Sequence, residues 1–90
     1  MSEPFSFVKF VEDIAAAHEV SYGEVIGDRH DYPIVRARWA VYAGLRDRGW
    51  SLPKIGRRLR KHHTTVLYGL RRHAGAAARV LTPGKYAYAA

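Results

Sequence analysis

The chain has 90 residues, 48% of them hydrophobic, no cysteine, and a formal net charge of +7 at pH 7. Such a length supports one small core, with no room for a second domain or a nucleotide-binding fold, and the lack of thiols excludes disulfides and thiolate chemistry. No apolar stretch approaches the ~20 residues that span a bilayer, and the N-terminus MSEPFSFVKFVED lacks the basic region of a secretory signal, so a soluble, cytoplasmic protein is expected.

Phe7, Val8, Phe10, Val11, Ile14, Ala15 and His18 recur at helical spacing and predict a first helix over 5–18. Ser21 and Glu24 fit a capping box, flanked by Val20 and Val25 at hydrophobic-staple spacing, and a short helix over 22–27 follows. Residues 28–32 read as a polar turn. Pro33 suits the first turn of a third helix carrying Ile34, Ala37, Val41, Gly44 and Leu45, which Gly49 ends. Ser51 is a favourable N-cap with Pro53 in the turn behind it, and Ile55, Gly56 and Leu59 continue a fourth helix to residue 59. Arg60 and Lys61 form the next turn. A last helix starts near 63, carries Val66, Leu67, Leu70 and Ala74, and runs toward Val80 with a break expected near Gly75. Thr82-Pro83-Gly84 stops it, and 83–90 reads as a loose tail. Nothing alternates with period two, so the expected class is all-α: one small helical domain over 1–90.

Charge is unevenly spread along this framework. Residues 1–28 hold six acids and one base, a net −5; residues 29–90 hold two acids and fourteen bases, a net +12. One sign concentrated so strongly points to a polyanionic partner, nucleic acid being the usual one and an anionic membrane surface the competitor. Within the basic half, residues 51–73 read as two helices joined by a tight turn, the second opening on small polar residues, which is the pattern of a helix-turn-helix. Gly56 removes a side chain where the two helices cross closely. His62, His63, Thr64 and Thr65 supply short donors and acceptors for base edges in a major groove. Lys54, Arg57, Arg58, Arg60, Lys61, Arg71 and Arg72 lie around them, suited to phosphates.

The stretch SLPKIGRRLRKHHTTVLYGLRR resembles the C-terminal DNA-binding domain, domain IV, of the bacterial replication initiator DnaA. The resemblance rests on Ser51-Leu52-Pro53, Ile55-Gly56 and then His63-Thr64-Thr65-Val66 at the matching distance, against a family signature of Ser-Leu-Pro-Glu-Ile-Gly followed by Asp-His-Thr-Thr-Val or Asp-His-Ser-Thr-Val. More weakly, the order of the upstream helices agrees, extending the similarity over 7–81. The resemblance implies a Trp-repressor-like, DnaA domain IV-like helical fold. It implies that His63, Thr64 and Thr65 open a recognition helix that contacts bases, and that Leu52 and Pro53 abut the sugar-phosphate backbone. It also implies that an arginine of the third helix enters the minor groove: Arg38 if one residue is deleted before Gly49, with Arg36 the other candidate.

Two positions depart from the signature. His62 replaces an aspartate that can cap the recognition helix and accept from a cytosine amino group, functions that neutral histidine performs only weakly. Lys54 replaces a glutamate, losing a capping-box partner and adding a phosphate-seeking cation. The chain also lacks the G-x-x-x-x-G-K-[ST] signature of the initiators' ATPase. It therefore resembles the DNA-binding module alone, as a stand-alone homologue of bacterial or phage origin.

Other chemistry is poorly supported. Adjacent histidines project in different directions, and Val66 and Leu67 occupy the positions four residues on, so no metal site is expected. No nucleophile or carboxylate neighbours them, so no enzyme and no cofactor are expected. Trp39, Tyr42 and Trp50 read as core or subunit surface before base-stacking platforms, and Gly69 as a packing position. The expected function is sequence-preferring binding of double-stranded DNA by a monomer at the nucleoid, regulating replication initiation or transcription. The alternative is a protein-interaction adaptor acting through the acidic N-terminal face of Glu12, Asp13, Glu19 and Glu24, with DNA contact secondary.

Overall fold

A computed structural model describes residues 4–81, with side chains over 4–75. The expected loose tail at 83–90 lies outside the described residues. Those described form five helices and no strand: α1 (Phe7–Ala17), α2 (Tyr22–Ile26), α3 (Tyr32–Asp47), α4 (Leu52–Leu59) and α5 (His63–Leu81). The protein is all-helical, as its hydrophobic periodicity predicts.

Side-chain caps set most of the starts. Ser6 Oγ accepts from the Lys9 amide at 3.2 Å, so α1 begins at Phe7 rather than at residue 5. The capping box of α2 is complete: Ser21 Oγ accepts from the Glu24 amide at 3.1 Å, and Glu24 Oε1 accepts from the Ser21 amide at 2.9 Å. Ser51 Oγ accepts from the Lys54 amide at 3.2 Å; Lys54 has no carboxylate to return the bond, as its substitution implies. Asp31 precedes α3 but makes no capping bond, because Arg29 takes its carboxylate at 2.8 and 3.2 Å.

Three helices end alike, each with a left-handed residue just beyond the last turn: Glu19 at φ 59°, Gly49 at φ 90° and Arg60 at φ 58°. In each case the next amide reaches back to a carbonyl inside the helix, Val20 to Ala15 at 2.9 Å, Trp50 to Leu45 at 3.1 Å and Lys61 to Gly56 at 2.8 Å. This closure satisfies carbonyls that the helix end would otherwise leave open. Only Gly49 adopts that conformation without a side-chain penalty. No break occurs at Gly75; α5 runs through it to Leu81. The flanking sequence HAGAAA is rich in the strongest helix former, which offsets the ~1 kcal/mol that a mid-helix glycine costs.

The core draws on every helix. Val11 of α1, Val25 of α2, Val41, Tyr42 and Leu45 of α3, Ile55 of α4 and Val66 of α5 are fully buried. α3 is the central element. Gly44 admits the Phe10 ring, which a Cβ would strike, and Gly69 lets α5 lie against Trp39 and Tyr42, whose ring atoms stand 2.6 Å from where its Cβ would be. The packing reading of Gly69 is thus the right one for this face. Tyr42 is core. Its hydroxyl is buried with no hydrogen-bond partner among the described residues, and burial pushes its pKa up to about 12.

Arg38 is the one charged residue buried among the described residues, at 5% exposure. Its Nε donates to Val25 O at 2.7 Å, Nη1 to Arg29 O at 3.0 Å, and Nη2 to Glu24 O and Gly27 O, both at 3.0 Å. A five-residue helix leaves most of its carbonyls unpaired, and this guanidinium closes the end of α2 from across the fold. The expectation that Arg38 enters a minor groove is corrected accordingly: its charge faces inward and its donors are spent on backbone carbonyls.

Candidate nucleic-acid interface

The turn between α4 and α5 consists of Arg60, Lys61 and His62. Gly56 makes it possible. A Cβ there would collide with the Lys61 carbonyl, so the glycine clears space for the backbone of the turn, where the sequence pointed to the crossing of the helices themselves. Lys61 then extends away from solvent. Its Nζ donates to Gly27 O at 3.1 Å and to Asp28 Oδ1 at 3.0 Å, leaving the side chain 15% exposed. The hydrogen bond and charge of Lys61 hold the Asp28 carboxyl below its usual pKa. Lys61 therefore braces the turn against the α2–α3 loop, and its expected availability for phosphate is corrected.

His62 supplies the cap of α5. Its carbonyl accepts from the Thr65 amide at 3.0 Å and the Val66 amide at 3.2 Å. Its ring Nδ1 accepts from the Thr64 amide at 3.2 Å and stands 2.7 Å from Thr64 Oγ1. An amide can only donate, so Nδ1 is the acceptor and Nε2 carries the ring proton; the Thr64 hydroxyl then donates to the same nitrogen. Histidine fills the capping position more fully than its sequence suggests. The His62 and His63 rings lie 4.3 Å apart between centroids. His62, His63, Thr64 and Thr65 are all exposed on this first turn.

The cations of α4 and α5 differ in how they are held. Lys54 Nζ sits 4.2 Å from the Trp50 centroid, Arg58 lies 3.9 Å from that of Phe7, and Arg72 lies 5.9 Å from those of both Trp39 and Tyr68. The ring faces orient these groups without neutralising them. Among the described residues the ion pairs are Lys9–Asp13, Arg29–Glu24, Arg29–Asp31 and Lys61–Asp28. Lys54, Arg57, Arg58, Arg60, Arg71 and Arg72 are exposed and have no carboxylate partner among them. Pro53 is exposed, whereas Leu52 is half-buried against the core. Arg36 is exposed, 5.7 Å from the Tyr32 centroid. Burial first, then the charges of Arg36 and His73, hold the pKa of His18 below its usual value.

The tertiary structure adds residues that sequence reading passed over. The brace through Lys61 sets the α2–α3 loop beside the first turn of α5. His30 of that loop, Trp39 of α3, and Thr65 and Tyr68 of α5 line one apolar cavity of about 230 Å³. Tyr68 had a legible signal, since it stands three residues after Thr65 on one helical face. His30 had none, because its place depends on a contact spanning the chain.

Among the described residues no group of histidines and carboxylates could hold a metal ion, and no helix is long and apolar enough to cross a membrane. What the fold defines is a small all-helical protein, with five helices among the described residues and exposed cations on α4, the turn and α5 that have no carboxylate partner among those residues. No protein-family model, no curated protein and no solved structure matches the chain.

Proposed function

We propose that the protein binds double-stranded DNA with sequence preference, using α4 and α5 as a helix-turn-helix of the DnaA domain IV type, and regulates replication initiation or transcription without enzymatic activity. The observation that carries this reading is the capped, polar first turn of α5 on a helix pair whose α4, turn and α5 present six exposed cations, Lys54, Arg57, Arg58, Arg60, Arg71 and Arg72, without carboxylate partners among the described residues. In this reading His63, Thr64 and Thr65 face base edges, the six cations and Pro53 meet the backbone, and Arg36 is the remaining minor-groove candidate.

The capping geometry bears on specificity. With Nδ1 turned toward Thr64, His62 presents Nε2–H outward. A donor thus stands where the family signature has an acceptor. It suits guanine O6 or N7, or thymine O4, and opposes the cytosine amino group. The preferred site therefore departs from the initiator's at the base pair facing His62.

Selection of bound duplexes from a random library at ~150 mM salt, alongside the Thr64→Ala protein, tests the reading. One motif that Thr64→Ala blurs supports it; binding without any motif refutes sequence preference. Six phosphate contacts predict a log-log salt slope near about −5. Charge reversal at Glu12 and Asp13 that abolishes function while leaving DNA affinity intact would favour the adaptor reading instead.

A further inference from the structure

Next to the first turn of α5 lies a set of aromatic rings that duplex reading does not use. Tyr32 and Tyr68 are 59% and 58% exposed. Trp39 stands between them, half-buried and edge-on to each at centroid separations of 6.4 Å. Guanidinium groups interleave with the rings, Arg36 beside Tyr32 and Arg72 beside both Trp39 and Tyr68. The apolar cavity of about 230 Å³ is bounded by Trp39 and Tyr68, with His30 and Thr65 also in its wall.

These features ask for a ligand with flat apolar faces and negative charge between them. Duplex DNA offers the charge but hides its base faces in the stack. An apolar protein segment offers the faces but leaves Arg36 and Arg72 without partners. Unpaired nucleotides offer both, since every base has a π-face and every linkage a phosphate. Guanidinium groups already oriented over rings lose less freedom on meeting a phosphate.

We propose that the Tyr32–Trp39–Tyr68 strip binds single-stranded nucleic acid, with Arg36 and Arg72 on its phosphates and one unpaired base entering the cavity that Trp39 and Tyr68 line with His30 and Thr65. This goes beyond duplex binding and does not depend on it. Because Thr65, Arg36 and Arg72 are shared with the duplex-binding surface, a single strand and a duplex compete for the protein.

The test compares a labelled oligothymidylate of about 15 nucleotides with an abasic deoxyribose-phosphate oligomer of the same length, by fluorescence anisotropy. The two carry equal charge and differ only in having bases to stack. Oligothymidylate is expected to bind at least about tenfold more tightly. Tyr68→Ala removes most of that difference and Tyr68→Phe restores it; thermal melting of both variants verifies that they fold. In a Trp50→Phe background, the remaining Trp39 emission is quenched as oligothymidylate binds. Equal affinity for the two oligomers overturns the proposal, as does a folded Tyr68→Ala protein that keeps the preference. A duplex selection that returns no motif leaves this comparison untouched, so the two readings fail separately.

Discussion

His62 Nδ1 accepts from the Thr64 amide at 3.2 Å and lies 2.7 Å from the Thr64 hydroxyl, so one ring nitrogen closes the first turn of α5 and occupies one of its polar side chains. Replacing the ring with a carboxylate keeps the acceptor and adds a negative charge where the helix dipole favours it. His62→Asp is expected to raise stability by about 0.5–1 kcal/mol, and His62→Ala to lower it by about 1 kcal/mol, both read by chemical denaturation. In duplex selection, His62→Asp should restore preference for cytosine at the facing position.

Arg38 predicts a different kind of loss. Its guanidinium serves four backbone carbonyls in a buried setting, and a lysine in its place has a single, rounder head group. Arg38→Met should cost at least about 3 kcal/mol, seen as a large fall in Tm, because buried acceptors are left without donors. Arg38→Lys should recover only part of it. Any effect of these changes on DNA affinity should track the folded fraction, whereas Arg36→Gln should weaken binding with Tm almost unchanged.

Tyr42 gives a prediction of opposite sign. Its hydroxyl is buried without a partner among the described residues, so Tyr42→Phe deletes a desolvated polar group while keeping the ring that packs on Gly69. Stability should stay level or rise by up to about 1 kcal/mol in urea denaturation. A loss above about 1 kcal/mol would mean that the hydroxyl is satisfied in solution.

His18 links stability to pH. Burial, Arg36 and His73 all disfavour its protonated form, so its folded pKa lies below the unfolded value of 6.5. The unfolded chain then takes up the proton first as pH falls. Stability contributed by neutral His18 is fully present above that range and is lost as pH drops below 6.5 toward the folded value. His18→Gln should flatten this part of the stability-against-pH curve, measured by urea melts across the range.

What could be read in the sequence was what is local. Ser21 with Glu24, Ser51 and Gly49 mark helix boundaries through bonds to residues a few positions away, Pro33 marks one through its fixed φ, and the apolar spacing of Val11, Ala15, Val41 and Leu45 names the core face. The burial of Arg38 was not legible because its four acceptors lie nine to fourteen residues back, at the end of α2 and in the loop after it, whose path the sequence does not reveal. Lys61 was misread for the same reason, its partners being 33 and 34 residues away. The left-handed conformations of Glu19 and Arg60 run against residue preference and are imposed by closure of the preceding helices. The position of His30 beside Thr65 follows from the Lys61 brace, so that half of the cavity had no sequence signal.

The carbonyl oxygen of Gly27 receives donors from both Arg38 and Lys61, at 3.0 and 3.1 Å. One atom thereby knots three segments together: the middle of α3, the loop leaving α2 and the turn entering α5. The loop and the turn cannot hinge independently about this point, so whatever seats itself on this face meets a jaw whose gape is fixed beforehand. Opening either side exposes a cation and a carbonyl together, and amide exchange in the two segments should accordingly proceed as one event.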